Sequence, residues 1–462
     1  MANDYKICIV GLGPAGLGVG LRLSQSPISD GVVCFEAGGR VEERVCAVQN
    51  AENCKREDKC QVIMGVGGAS VLSGCKLSTF PAGRGIAPYV GGEVALRKRL
   101  DSALRLMSLY MPITPPKTAE RNLAETAAEF ARLGFEFRHY SSYLVQHDDL
   151  APAYNKMVAE MSTARVTMYL NTLVGSIEST GSGFRVTAES DGNLINITCD
   201  RIIIAAGRSG MRLLSTLDSS LGLGAMANRC DLGVRLEFPV SVWPDIDRYH
   251  NDLKLHFESP EIGHAQTFCV SKNGMLAPYR LGDFLVIAGH ISAGISTGFT
   301  NLSVMVRQDP HTIESHTQIL ADVRARLLAQ TGGIPIRQNL YDFLLREGSS
   351  DISPFDHIKS SISYWSNGNV EQCFPPEVAE RIWHAVSYFV QRLVPNHLHS
   401  KVFVFAPALE YYWPKFPLAL GFVSNNSRIH FVGDCTGHFR GILQAFCSGL
   451  ACAEWIVDGH VQ

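Results

Sequence analysis

Tyr5-Lys6-Ile7-Cys8-Ile9-Val10-Gly11-Leu12-Gly13-Pro14-Ala15-Gly16 decides the fold. The first six residues read as a short buried strand, and Leu17 to Leu23 reads as the start of a helix. Gly11 allows the tight turn between them, Gly13 lets backbone approach a pyrophosphate, and Gly16 lets helix and strand pack closely. The helix start, with Ala15, offers free N–H groups and a positive dipole end to phosphates. Glu36 closes the next apolar run, Val32-Val33-Cys34-Phe35, and lies 20 residues beyond Gly16. An acid at that distance accepts from a ribose hydroxyl. Strand, glycine turn, helix and acid in this order predict a dinucleotide-binding α/β unit.

Two later stretches belong with it. Arg201-Ile-Ile-Ile-Ala-Ala206-Gly207 reads as a buried strand running into a glycine turn. Ile429-His-Phe-Val-Gly433-Asp434 reads as another, followed by Gly437, Gly441 and an apolar, small-residue helix from Ile442 to Ile456. The trio resembles the FAD-binding fold of glutathione-reductase-like flavoproteins. That resemblance implies a Rossmann-like FAD-binding domain, with a central parallel sheet and a small antiparallel meander, which the chain leaves and re-enters. It also implies that Asp434, after Gly433, holds the ribityl chain. The helix beginning near Gly441 and Ile442 would face the flavin pyrimidine ring, where a helix N-terminus stabilises negative charge.

Composition fits a globular enzyme. The chain has 462 residues, more than a single average core accommodates, so two intertwined domains are expected. A net charge of −3, from 41 basic and 44 acidic residues, gives no reason to expect nucleic acid or an anionic membrane as partner. No apolar run reaches the ~18 residues of a membrane span. No leader is read before the first strand. The 13 cysteines show no C-x-x-C and no zinc spacing, and several lie in apolar strands or helices. The expectation is reduced thiols and a cytoplasmic location.

The domains are expected as 1–97 (first FAD-binding part), 98–212 (second part, with a helical insertion and the meander), 213–425 (a discontinuous mixed α+β substrate domain) and 426–462 (C-terminal FAD-binding part). Helices are predicted over 93–110, 119–133, 151–162, 303–330 and 376–393. Strands 166–170, 174–177, 184–188 and 194–198 alternate around hairpin turns at Gly181-Ser-Gly183 and Asp191-Gly192. A second glycine-rich run, Gly65-Val-Gly67-Gly68-Ala69-Ser-Val-Leu-Ser73-Gly74-Cys75-Lys76-Leu77, lacks the preceding strand of a Rossmann turn. It is expected to pass close to the isoalloxazine ring, with Gly68 and Ala69 among the cofactor contacts.

A narrower resemblance rests on that run together with Ala205-Ala-Gly207-Arg208-Ser209-Gly210, Leu232-Gly-Val-Arg-Leu-Glu237, Thr267-Phe-Cys-Val270 and the closing Gly433-Asp434, Arg440-Gly441-Ile442, Gln444-Ala445 and Ser448-Gly449. Over roughly 5–460 the chain resembles the little-characterised FAD-dependent dehydrogenase family, also labelled NAD(FAD)-utilising dehydrogenases. It departs from that pattern at Ser73-Gly74-Cys75-Lys76-Leu77, where the family usually shows Ser-Asp-Gly-Lys-Leu.

A flavin needs a C–H or N–H bond placed against N5 and a group to handle a proton. His438 and Arg440, in the turn between Asp434 and the last helix, are the first candidates. Lys76 is a candidate for substrate binding, and Cys75 for redox chemistry or covalent flavin attachment. Tyr411-Tyr412-Trp413, Lys415, Tyr279-Arg280 and His290 form a third group suited to a flat ligand. No second Rossmann fingerprint provides a nicotinamide domain, which leaves transient NAD(P)H binding open. The leading expectation is an FAD-dependent dehydrogenase or oxidase that oxidises a small molecule and passes electrons to oxygen or a carrier. Its alternatives are an NAD(P)H- and oxygen-dependent monooxygenase and a non-catalytic flavin sensor.

Overall fold

The strand Tyr5–Val10 lies inside a seven-stranded sheet, flanked in parallel by Val32–Phe35 and by the second half of Asn193–Ile204. The computed structural model describes residues 3–50, 52–55, 59–72, 74–116, 123–248, 252–291, 296–347, 359–411 and 413–459. Thr167–Tyr169 extends the sheet beyond Val32–Phe35, and Ile429–Phe431 pairs in parallel with Ile202–Ile204. Ile9, Val33 and Ile203 are each 0% exposed, because parallel strands are covered on both faces. The architecture is α/β with a Rossmann-type parallel core.

Asn193–Ile204 is one long strand where the sequence suggested two. Its first half alternates buried and exposed positions and pairs antiparallel with Phe184–Ser190, which pairs with Leu173–Ser179. Its second half, Ile202–Ile204, is buried throughout and joins the parallel core. The expected meander is therefore continuous with the nucleotide sheet.

A second, eight-stranded sheet runs in the order Ser366–Asn367, Ile336–Asn339, Phe403–Tyr411, Cys230–Pro239, Phe299–Gln308, Gly263–Lys272, Lys254–Ser259 and Glu136–Arg138. The helix Pro376–Leu393 packs against it, and so does the hairpin Met275–Leu281/Phe284–His290. Two expectations are corrected here. The stretch 303–308 is strand, and the helix Ile313–Thr331 starts only after Asp309-Pro310, with Thr312 capping it through the Ser315 N–H. Glu136–Arg138 pairs with Lys254–His256, so part of 98–212 belongs to the second sheet and not to the nucleotide unit.

The helix Ile442–Val457 lies against the helix Pro14–Ser24. A Cβ on Gly18 would sit 2.5 Å from Phe446 O, and one on Gly449 would sit 2.1 Å from Ala15 O. The two helices meet through main chain, and only glycine fits at these two contacts. Gly449→Ala is expected to lower the thermal unfolding midpoint, since overpacking a fixed contact costs about 1–3 kcal/mol. Gly181→Ala, with nothing within 4 Å of its new methyl, should leave the midpoint in place. Equal midpoints would show that the helices separate without cost.

Candidate functional site

A cavity of about 1020 Å³ runs from the glycine turn to the start of the last helix, and Gly11, Gly13, Ala15 and Glu36 line one end of it. Gly11 holds a φ of +102°, and a Cβ there would lie 2.5 Å from Ala205 O. Gly16 is not in the lining; a Cβ on it would fall 1.8 Å from Gly11 O, so its role is packing beneath the turn. The helix Pro14–Ser24 has Gly13 at its N-cap, no side-chain cap and no acid in its first turn. Its N-terminal N–H groups are thus left for whatever fills the cavity.

Glu36 is buried and organises this end. Its Oε2 accepts from Leu12 N–H at 2.7 Å, and its Oε1 accepts from Gly38 and Gly65 N–H at 3.0 and 2.8 Å. A carboxylate has about four lone-pair positions, so one remains for a hydroxyl in the cavity. The Gly65 bond, with Gly67 N–H donating to Leu12 O at 2.9 Å, draws Gly65–Gly68 against the fingerprint. Gly68 and Ala69 line the cavity. Ser73 lies outside the described residues.

At the other end, Ala206, Gly207, Gly433, Asp434, Gly441 and Ile442 all line the same space. Gly433 N–H donates to Ser448 Oγ at 3.0 Å, fixing the turn to the last helix. That helix again has a glycine N-cap, Gly441, with no side-chain cap and no first-turn acid. Two open helix N-termini therefore face one cavity. Burial raises the Asp434 carboxyl pKa, while Arg440 and Arg208 pull it down. Arg208 Nε lies 3.8 Å from Asp434 Oδ2, and Arg440 Nη1 lies 2.9 Å from Glu410 Oε1.

The candidate chemical residues fall differently from one another. Arg440 lines the cavity and is tied to Glu410. His438 also lines it, but both ring nitrogens are engaged: Nδ1 with Tyr89 OH at 3.0 Å and Nε2 with Phe416 O at 2.8 Å. The carbonyl only accepts, so Nε2 carries the proton and Nδ1 takes the Tyr89 hydroxyl. Burial lowers the pKa of the ring, against the opposing pull of the Phe416 carbonyl. This histidine props the turn, and the expectation of a free base is corrected. Lys76 lines the cavity with its ammonium paired to Asp252 Oδ1 at 3.1 Å and donating to Val270 O. Asp252 also accepts from Tyr140 OH at 2.6 Å and Val270 N–H at 2.9 Å.

Cys75 is buried and absent from the lining, and burial pushes its thiol up to about 12. A neutral, inaccessible thiol is no attachment point or redox nucleophile. Tyr411 and Trp413 are core residues: Tyr411 OH meets His316 Nδ1 at 3.1 Å, and Trp413 Nε1 donates to Gly207 O at 3.0 Å. Tyr412 lies outside the described residues. Lys415 exchanges main-chain bonds with Met226. Tyr279 is buried beneath Arg208, 5.4 Å from its guanidinium carbon.

Sequence reasoning missed the wall contributed by the second sheet. Arg138, Arg229, Lys254, His256, Gln266, Phe268, Arg307 and Glu410 line it. Lys254 Nζ sits 4.3 Å from the Phe268 ring centroid, and burial lowers its pKa. The available signal was an acid or base inside an otherwise apolar strand, as at Glu410 in Phe403–Tyr411.

No family model matches the chain, and no curated protein does. It is similar in structure to a geranylgeranyl bacteriochlorophyll reductase-like protein from Thermoplasma acidophilum, with 9% identity over 99% of this chain and 78% of that one, at a TM-score of 0.43. It is similar to pyridoxine 4-oxidase from Mesorbium loti, with 12% identity over 99% of this chain and 100% of that one, at 0.43. Glycine oxidase from Geobacillus kaustophilus gives 15% identity over 99% and 95%, at 0.39. All three likenesses are distant, and none assigns a role to a residue of this chain.

The side chains of Arg440 and Glu410 are only 11% and 4% exposed. Arg440→Met leaves the carboxylate buried without its cation, which costs about 3–5 kcal/mol. The unfolding midpoint should fall clearly, and adding Glu410→Gln should restore most of it. A double variant as unstable as the single one would show that the pair is not the cause.

Proposed function

We propose that the chain holds one FAD without a covalent bond and works as an FAD-dependent oxidoreductase on a small, anion-bearing organic molecule. One observation carries this reading: two helix N-termini without caps open on a single cavity, with Glu36 at one end and Asp434 at the other. That spacing of positive helix ends and carboxylates suits a ligand with a ribose, a pyrophosphate and a second polar ring system. Glu36 accepts from the ribose through its remaining lone pair. The Gly13–Ala15 main chain faces the pyrophosphate, Asp434 accepts from the ribityl hydroxyls, and Gly441–Ile442 faces the pyrimidine edge. Bound FAD would supply two-electron redox chemistry.

The second sheet supplies the substrate wall. Arg138, Arg229, Lys254 and Arg307 line it, while the carboxylates Asp252 and Glu410 are engaged by Lys76 and Arg440. Arg138 pairs with Glu136 and Arg307 with buried Asp231, but basic side chains still outnumber carboxylates around the cavity. That balance favours an anionic group, and Phe268 offers an apolar face beside it. Arg208 and Arg440 hold positive charge beside Asp434 and favour an electron-rich ring. Membership of the FAD-dependent dehydrogenase family, within the glutathione-reductase-like fold, is part of this proposal. So are electron transfer to oxygen or a carrier and a cytoplasmic setting.

The test is anaerobic mixing of the yellow protein with carboxylate-bearing alcohols and amines, and separately with NADH and NADPH. Bleaching by a carboxylate substrate supports the proposal. Fast bleaching by the nicotinamide nucleotides alone replaces it with a reductase or monooxygenase.

Acid precipitation should leave the yellow colour in the supernatant; flavin retained in the pellet would refute non-covalent binding. Asp434→Ala removes hydrogen bonds to a buried polar partner, worth about 1–3 kcal/mol. FAD affinity, followed by flavin fluorescence on titration, should drop by roughly ten- to a hundredfold. An unchanged affinity would move the ribityl chain away from Asp434.

A further inference from the structure

We propose that Cys75, His147 and His290 form a binding site for one zinc-class divalent metal ion behind the cavity wall. Their ligand atoms all lie within 4.8 Å of one another. Zinc bonds of about 2.3 Å to sulfur and 2.0–2.1 Å to nitrogen place tetrahedral ligands roughly 3.3–3.7 Å apart. Side-chain rotations of about an ångström therefore close the site.

Two further observations point to a ligand. His147 Nδ1 and His290 Nδ1 are both buried and have no hydrogen-bond partner among the described residues. The two rings stand 84° apart with centroids at 5.6 Å, so they do not satisfy each other by stacking.

The main chain already holds the three segments in register. Cys75 N–H donates to Ile291 O at 3.1 Å, next to His290. Cys75 O accepts from Val145 N–H at 3.0 Å, two residues before His147. Metal binding would displace the Cys75 thiol proton, and one thiolate with two imidazoles selects zinc or a similar borderline metal over magnesium or calcium, which prefer oxygen. Three protein ligands leave a fourth position for water. Gly74 and Lys76, on either side of Cys75, line the cavity, so an ion here would fix that part of its wall.

The full chain with its flavin is stripped with a chelator and then titrated with zinc, and separately with cobalt(II) as a spectroscopic probe. One zinc per chain by elemental analysis and a thiolate-to-cobalt charge-transfer band are expected. Cys75→Ser should abolish the band and His147→Ala should remove most of the zinc, in variants that still bind flavin. If His290→Ala fails to fold, those two variants and the wild-type stoichiometry still decide. Substoichiometric zinc in the wild type, a cobalt spectrum without the band, or equal uptake by Cys75→Ser would each overturn the site.

Discussion

Ala15 O of one helix lies where a Cβ on Gly449 would sit, and Phe446 O of the other lies where one on Gly18 would sit. Main chain touches main chain between Pro14–Ser24 and Ile442–Val457, and the cavity depends on it. The contact brings the starts of both helices to one space although more than 400 residues separate them. A wider spacing would part the two positive helix ends, and no single ligand would then lie across both. Small residues on the late helix thus serve the site indirectly, by setting a distance.

The wall of that space carries buried and partly buried charge of both signs. Arg208 and Asp434 face each other, as do Arg440 and Glu410. Burying ion pairs rarely adds stability over an apolar core. Keeping two such pairs beside a cavity makes sense as a fixed electrostatic environment whose charges cannot reorient when a polar ring enters. The His438 contacts to Tyr89 and Phe416 do the mechanical part, holding the turn that carries Arg440.

The parts legible in sequence were those where function constrains the main chain. Gly11 and Gly16 announce a turn where a side chain would run into main chain, Gly13 sits between them at the cavity, and Glu36 follows at a fixed distance. The meander was legible because Asn193–Thr198 alternates with one face exposed. Phe299–Gln308 was not, because it is buried on both faces, loses that alternation and runs close before a helix. His438 was misjudged because its partners lie 349 and 22 residues away, beyond any local pattern. Glu410 was missed for the same reason: its partner, Arg440, is supplied by a distant strand-to-helix turn. Cys75, His147 and His290 come from three separate segments, and no local spacing marks them.

Ile429–Phe431 pairs with Ile202–Ile204, an edge made more than 200 residues earlier in the chain. During synthesis at about 5–20 residues per second, that edge waits tens of seconds for its neighbour. Throughout that time the apolar face of Pro14–Ser24 also lacks the helix that covers it. The nascent chain therefore carries a bare strand edge and an uncovered helix of its own nucleotide domain while seven of the eight strands of the second sheet are being made. Exposed strand edges and apolar helix faces are what make folding intermediates aggregate, and the cavity has its full lining only after the late helix has docked.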